Sequence, residues 1–72
     1  MNKNLFESHM KRFGDTQQSL ASAMGISLSR LNAKINEREG AEFTQTEIEF
    51  IAKRYSMSGR ELVAVFFDPK VS

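Results

Sequence analysis

The sequence predicts an all-α fold, five short helices packed around one core. Three observations carry that prediction. No stretch alternates apolar and polar residues over the length of a strand, and the β-branched residues are scattered. Apolar residues recur instead at three- and four-residue spacing in successive segments. The only proline is Pro69, so no helix interior is interrupted before the end of the chain. With 72 residues there is room for one domain, 1–72, whose ordered core is expected over about 4–67.

Each element has its own local reason. Asn4 and Glu7 have capping-box spacing, so the first helix is expected to begin near Asn4. Phe6, Met10 and Phe13 then form one apolar stripe, and Gly14 ends the helix. Asp15 or Thr16 caps a second helix that runs to Met24, with Leu20, Ala21 and Met24 facing inward. Gly25 suits the left-handed residue that closes it. Ile26 is apolar inside a tight turn, and Ser27 caps a third helix that turns Leu31 and Ile35 inward and ends around Asn36. Residues 37–43 read as a polar loop. Thr44 to Glu47 is a full capping box, with Phe43 placed to staple onto Ile48. Ile48, Ile51, Ala52 and Tyr55 make the inner stripe of the fourth helix. Ser58 to Glu61 is another capping box, and Leu62, Val63, Val65, Phe66 and Phe67 follow in a short apolar helix stopped by Asp68-Pro69.

Composition narrows the function. There is no cysteine and one histidine, so neither a disulfide, a thiolate nucleophile nor a Cys- or His-rich metal site is expected. So small a chain has little room for a deep pocket, so neither an enzyme nor a cofactor or small-molecule site is expected. No apolar run approaches the roughly 20 residues of a membrane span, and the first residues lack a secretion signal. A cytoplasmic binding module is the expectation. The net charge of +1 is unevenly spread. Residues 37–50 carry Arg38 against Glu37, Glu39, Glu42, Glu47 and Glu49, a net −4.

The informative segment is Thr16 to Asn36, TQQSLASAMGISLSRLNAKIN. It predicts two short helices joined at Gly25, with the small Ala21 where they cross and the outer face of the second helix free. That is the helix-turn-helix arrangement, whose second helix enters the DNA major groove. The T-Q-x-x-L-A-x-x-x-G-I-S pattern of Thr16 to Ser27 resembles the Cro/C1-type helix-turn-helix family of small phage and bacterial regulators. The likeness extends over about 4–67, through Leu31-x-x-Lys34-Ile35-Asn36, Phe43-Thr44 and Glu47-Ile48. It implies a compact lambda-repressor-like domain in a bacterial cell, acting in the lysis–lysogeny switch of a temperate phage.

The same resemblance implies a set of DNA contacts. Gln17 would bind a backbone phosphate at the start of its helix. Leu28, Ser29, Asn32 and Ala33 would point into the groove, Asn32 towards adenine and Leu28 onto a thymine methyl. Arg30 and Lys34 would reach phosphates or a guanine, and Asn36 a further phosphate. The acidic segment supports an alternative. Glu37, Glu39 and Glu42 have no local role and would repel phosphates, so they can imitate DNA instead, with Leu28 as an apolar anchor on a phage repressor protein. The chain would then be a modulator or antirepressor with weak or no DNA binding alone.

Other residues have plainer expected roles. Glu47 is explained by its capping box, and His9 is expected at the surface or its boundary. Phe6, Phe13, Phe50 and Tyr55 are expected in the core rather than as a base-stacking platform. Phe66 and Phe67 are adjacent, so one should pack inward and the other stay exposed, a contact for weak homodimerisation to which Met57 adds.

Overall fold

Every helix starts behind a side-chain oxygen that accepts a backbone N–H from its first turn. The structure, a computed structural model, describes residues 1–67. Asn2 caps α1 (Lys3–Arg12), Thr16 caps α2 (Gln17–Met24) and Ser27 caps α3 (Leu28–Ile35). Thr44 caps α4 (Gln45–Arg54) and Ser58 caps α5 (Gly59–Phe66). A 3-10 turn, Arg38–Gly40, lies between α3 and α4. Among the described residues these five α-helices and one turn are the only regular elements, and there is no strand. The fold is therefore all-α, as the periodicity predicts. Each cap contributes about 1 kcal/mol, a sizeable help to helices of only eight to ten residues.

The predicted boxes at Thr44/Glu47 and Ser58/Glu61 are present, each side chain bonding the other's backbone N–H. Thr16 and Ser19 form a further box. The first helix departs from expectation. Asn2 rather than Asn4 is the cap, its Oδ1 accepting from Leu5 N–H at 3.0 Å. The Asn2 N–H donates to the Val65 carbonyl at 2.7 Å, so packing against α5 fixes the start two residues early. The expected stop at Asp68-Pro69 lies outside the described residues.

The core takes residues from every helix. Phe6 and Met10 come from α1, Leu20 and Ala21 from α2, Leu31 and Ile35 from α3, Ile51 from α4 and Val65 from α5, with Tyr55 just past α4. Phe6, Phe43 and Phe66 form a ring triangle with centroids 5.7 to 6.1 Å apart. Phe43 and Ile48 line one groove, as the staple requires. Of the adjacent pair, Phe66 packs on the core and Phe67 is 57 % exposed.

Three expectations are corrected here. Phe13 is 45 % exposed because it lies past the end of α1. Its ring packs on Tyr55 at 5.5 Å, with the Arg12 guanidinium 5.8 Å from its centroid. Phe50 is 39 % exposed, since Ile51 takes the inward position on α4. His9 is buried, not at the boundary, and its Nδ1 has no hydrogen-bond partner among the described residues. It shares the inner side of α1 with Phe6 and Met10, three and one residues away.

One carboxylate ties the second helix to the fourth. Asp15 precedes the α2 cap and its side chain is 7 % exposed. Its Oδ2 accepts from Arg54 Nε at 2.7 Å and from the Tyr55 hydroxyl at 2.6 Å, and its Oδ1 accepts from the Arg54 guanidinium and the Ser19 hydroxyl. The Arg54 hydrogen bonds hold the Asp15 carboxyl well below the usual carboxylate range. Burial pulls the other way, and Ser19 and Tyr55 reinforce the lowering. Burial, then Asp15, pushes the Tyr55 phenol above its ordinary value.

A carboxyl lowered by folding stabilises the fold above its unfolded value and ceases to do so as the pH falls through the folded one. Asp15→Asn should therefore lose roughly 2 kcal/mol at neutral pH, about a 10 °C fall in Tm. Its stability should also decline less steeply than the wild type's below about pH 4. Urea and thermal unfolding between pH 2 and 7 check both. Parallel acid limbs in the two proteins would show that Asp15 is not the titrating tie.

Candidate nucleic-acid interface

The turn between α2 and α3 depends on a left-handed residue. Gly25 has φ +75°, and the Ile26 N–H returns to the Ala21 carbonyl at 3.0 Å, the pattern of a Schellman closure. A Cβ at Gly25 would meet nothing within 4 Å, so backbone conformation and not space requires glycine there. Ser27 then restarts the chain as a helix, its Oγ accepting from Arg30 N–H at 3.1 Å. Leu31 and Ile35 bury the inner side of α3, against a corner that includes Leu20 and Ala21.

The outer side of α3 is only partly what the sequence predicts. Leu28 is 47 % exposed, and Ser29 and Arg30 are exposed beside it. Among the described residues the Arg30 guanidinium makes no ion pair. Ala33 is half-buried, and Asn36 is exposed at the C-cap. Gln17 is the first residue of α2 and is half-buried.

Lys34 is the clear correction. It is buried, and its Nζ donates to Glu47 Oε1 at 3.0 Å and to the Glu42 carbonyl at 3.1 Å. It is turned away from the face on which a phosphate or guanine contact was expected. Position 34 lies three residues from Leu31 and next to Ile35, on the inner side of the helix. Its stem joins the core there while its ammonium pairs with α4. Burial pushes the Glu47 carboxyl up, but the Thr44 N–H and the Lys34 ammonium outweigh it and hold the group below its ordinary value. Glu47 is thus both a cap and the half-buried counter-ion of Lys34, and only the first role was expected.

A chain of side-chain hydrogen bonds crosses this surface. Lys3 Nζ donates to Asn36 Oδ1 at 2.7 Å. Asn36 Nδ2 donates to the Asn32 carbonyl at 2.9 Å and to Asn32 Oδ1 at 3.3 Å. Asn32 Nδ2 donates to Gln17 Oε1 at 3.1 Å. Arg38, flanked by two glutamates, turns its guanidinium to Asn32 Oδ1. The half-buried Asn32 is therefore occupied on both sides of its amide. Sequence reasoning gave Lys3 and Arg38 no part in this site. Arg38 reaches it because Glu37 and Glu39 both adopt left-handed conformations, φ 51° and 50°. A sequence pattern offers no signal for that at non-glycine residues, where it costs about 1 kcal/mol or more each.

The acidic residues of the alternative site are all exposed. Glu37, Glu39 and Glu42 are exposed around the 3-10 turn, with Glu37 Oε2 3.1 Å from the Met1 amino group. Of the residues named for dimerisation, Phe67 is exposed, while Phe66 is largely taken up by Phe6 and Phe43. Among the described residues no helix is long and apolar enough to cross a membrane, and no group of three His, Cys, Asp or Glu could hold a metal ion.

The two basic residues of α3 should separate cleanly on substitution. Lys34→Ala leaves the Glu47 carboxylate and the Glu42 carbonyl without their donor, and should cost roughly 2 kcal/mol of unfolding free energy. Arg30→Ala should change it by under about 0.5 kcal/mol. Urea unfolding of both variants is the check. Equal effects would mean that Lys34 is not a structural ion.

Comparison of the chain with family models, with curated proteins and with solved structures finds no match.

Proposed function

We propose that the chain is a transcriptional regulator of the phage genetic-switch type, binding operator DNA with α3 in the major groove. The observation that supports this best is the α2–turn–α3 unit. Two capped eight-residue helices are packed at a left-handed glycine, and the second carries exposed Leu28, Ser29 and Arg30. Base contact then falls to those three and to Ala33. Arg30 suits guanine, and Leu28 suits a thymine methyl. Gln17 and Asn36, at the ends of the unit, suit phosphates.

A second reading has its own support. With Lys34 taken up internally, the remaining charges of residues 28–42 are Arg30 and Arg38 against Glu37, Glu39 and Glu42. That surface is net acidic and carries a half-exposed leucine, a combination that suits a basic protein such as a repressor's own DNA-binding domain. In this reading the chain modulates a repressor rather than occupying an operator itself. Exposed Phe67, with Val63 also exposed on α5, provides an apolar face for a second copy under either reading.

Titration of a duplex taken from beside the gene, at two salt concentrations, with and without the cognate repressor, separates the two. Salt-sensitive binding by the chain alone supports the DNA reading. Arg30→Ala should then weaken binding about tenfold and lower the salt slope by about one unit if it contacts a phosphate, or relax selectivity at one G·C pair if it reads guanine. A shift that changes only when repressor is present supports the modulator reading. In that case reversing Glu37, Glu39 and Glu42 to lysine should abolish the complex, and an unaffected complex would remove the phosphate-mimic argument.

A further inference from the structure

We infer that the cleft between α1 and α5 is a docking site for an acidic side chain of a partner protein, an aspartate or glutamate held by Arg12, Arg60 and His9. The cleft has a volume of about 370 Å3. Its lining residues belong to α1 and α5, so it is separate from the α2–turn–α3 unit and independent of both readings above. Arg12 and Arg60, one from each helix, stand exposed at it. Among the described residues neither forms an ion pair. Glu61 lines the same cleft, but its Oε1 is taken by the Ser58 N–H at 2.9 Å. Two guanidinium groups at one cleft with no paired carboxylate repel each other, and an arriving carboxylate relieves that.

His9 points to a ligand on separate grounds. It lines the cleft at 6 % exposure, and its buried Nδ1 has no hydrogen-bond partner among the described residues. A buried ring nitrogen without an acceptor is better left as a lone pair than as an N–H. The proton of the neutral imidazole therefore belongs on Nε2, which makes Nε2 a donor for an oxygen in the cleft. The Glu61 carboxyl is held below its ordinary value first by the Ser58 N–H, against some desolvation, and His9 and Arg12 add to the lowering. A carboxylate at this edge thus already feels the cleft's cations. Arg12 and Arg60 against Glu61 leave one net positive charge, which a single carboxylate cancels. A phosphate dianion would overshoot it and meet Glu61. Leu5 and Ala64 supply apolar wall for the stem of the side chain. With both arginines exposed, the cleft is too open to enclose a free small acid, whereas a protein brings its own chain to cover the rim.

Titration of the full chain with a tetra-aspartate peptide, followed by NMR at constant ionic strength, tests this. The peptide should shift the His9 ring protons and the Arg12 and Arg60 side-chain N–H resonances saturably, and bind about tenfold tighter than sodium acetate. Arg12→Ala and Arg60→Ala should each weaken the peptide about fivefold, with Tm within about 2 °C of the wild type. Lys53→Ala, which removes an exposed cation of α4, should leave the affinity unchanged. Unmoved His9 protons, shifts that do not saturate, or an equal loss in Lys53→Ala would overturn the inference. Acetate as tight as the peptide would overturn the protein partner in favour of a small acid. Inorganic phosphate tighter than the peptide would overturn the carboxylate.

Discussion

The geometry of the α2–α3 unit hangs on the carboxylate of Asp15. It lies one residue before the cap of α2 and takes hydrogen bonds from Ser19 on α2 and from Arg54 and Tyr55 at the far end of α4. A nearly buried carboxylate is costly unless its lone pairs are filled, and four donors fill these. The tie spans about 40 residues of sequence, so it constrains the chain globally rather than locally. Thr16, the cap of α2, and the half-buried Gln17 follow Asp15 directly.

Lys34 and Glu47 make the corresponding tie for α3. The pair is less exposed at the lysine than at the glutamate, and the Glu42 carbonyl takes a second proton of the ammonium. The α2–α3 unit is thus fastened to α4 at two places, once just before α2 and once through α3. Between them the apolar corner of Leu20, Ala21, Leu31 and Ile35 supplies most of the attraction without directing it. The ion pairs set orientation, because a buried charge has few satisfactory positions and an apolar side chain has many. One partner of each pair is also part of a helix end: Asp15 precedes the α2 cap and bonds Ser19 of its box, and Glu47 closes the α4 box. Local and tertiary structure therefore fail together when either carboxylate is removed.

Much of the fold was legible because it rests on short-range rules. The caps at Thr16, Ser27, Thr44 and Ser58 lie within three residues of the N–H groups they accept. The left-handed closure at Gly25 needs only the glycine and the apolar Ile26 after it. What failed was decided at longer range. Asn2 displaced Asn4 as the first cap because the Val65 carbonyl holds its backbone. The burial of Lys34 was available in the 31, 34, 35 spacing, but a lysine on an apolar side has a stem and a charge that point to opposite conclusions. His9 posed the same conflict, and it too went inward with its side of the helix. The amide chain through Asn32 was illegible, since it requires left-handed glutamates and contacts between residues up to 33 positions apart.

These rearrangements change what the α3 surface can do. Of the two basic residues on α3, Lys34 is used up inside, and Arg30 is left for an outside partner. The cation of the acidic turn, Arg38, is turned onto Asn32 rather than onto its neighbouring glutamates. On the proposed DNA reading, phosphate affinity falls with each cation withdrawn, so this face would offer little non-specific attraction. On the proposed DNA reading, a surface of that kind would discriminate by shape and by a few directed donors more than by charge. Such a surface needs those donors fixed in advance, because weak electrostatic attraction leaves little free energy to order them on binding. The one-way run of amides from Lys3 to Gln17 fixes several of the polar groups on this surface in advance.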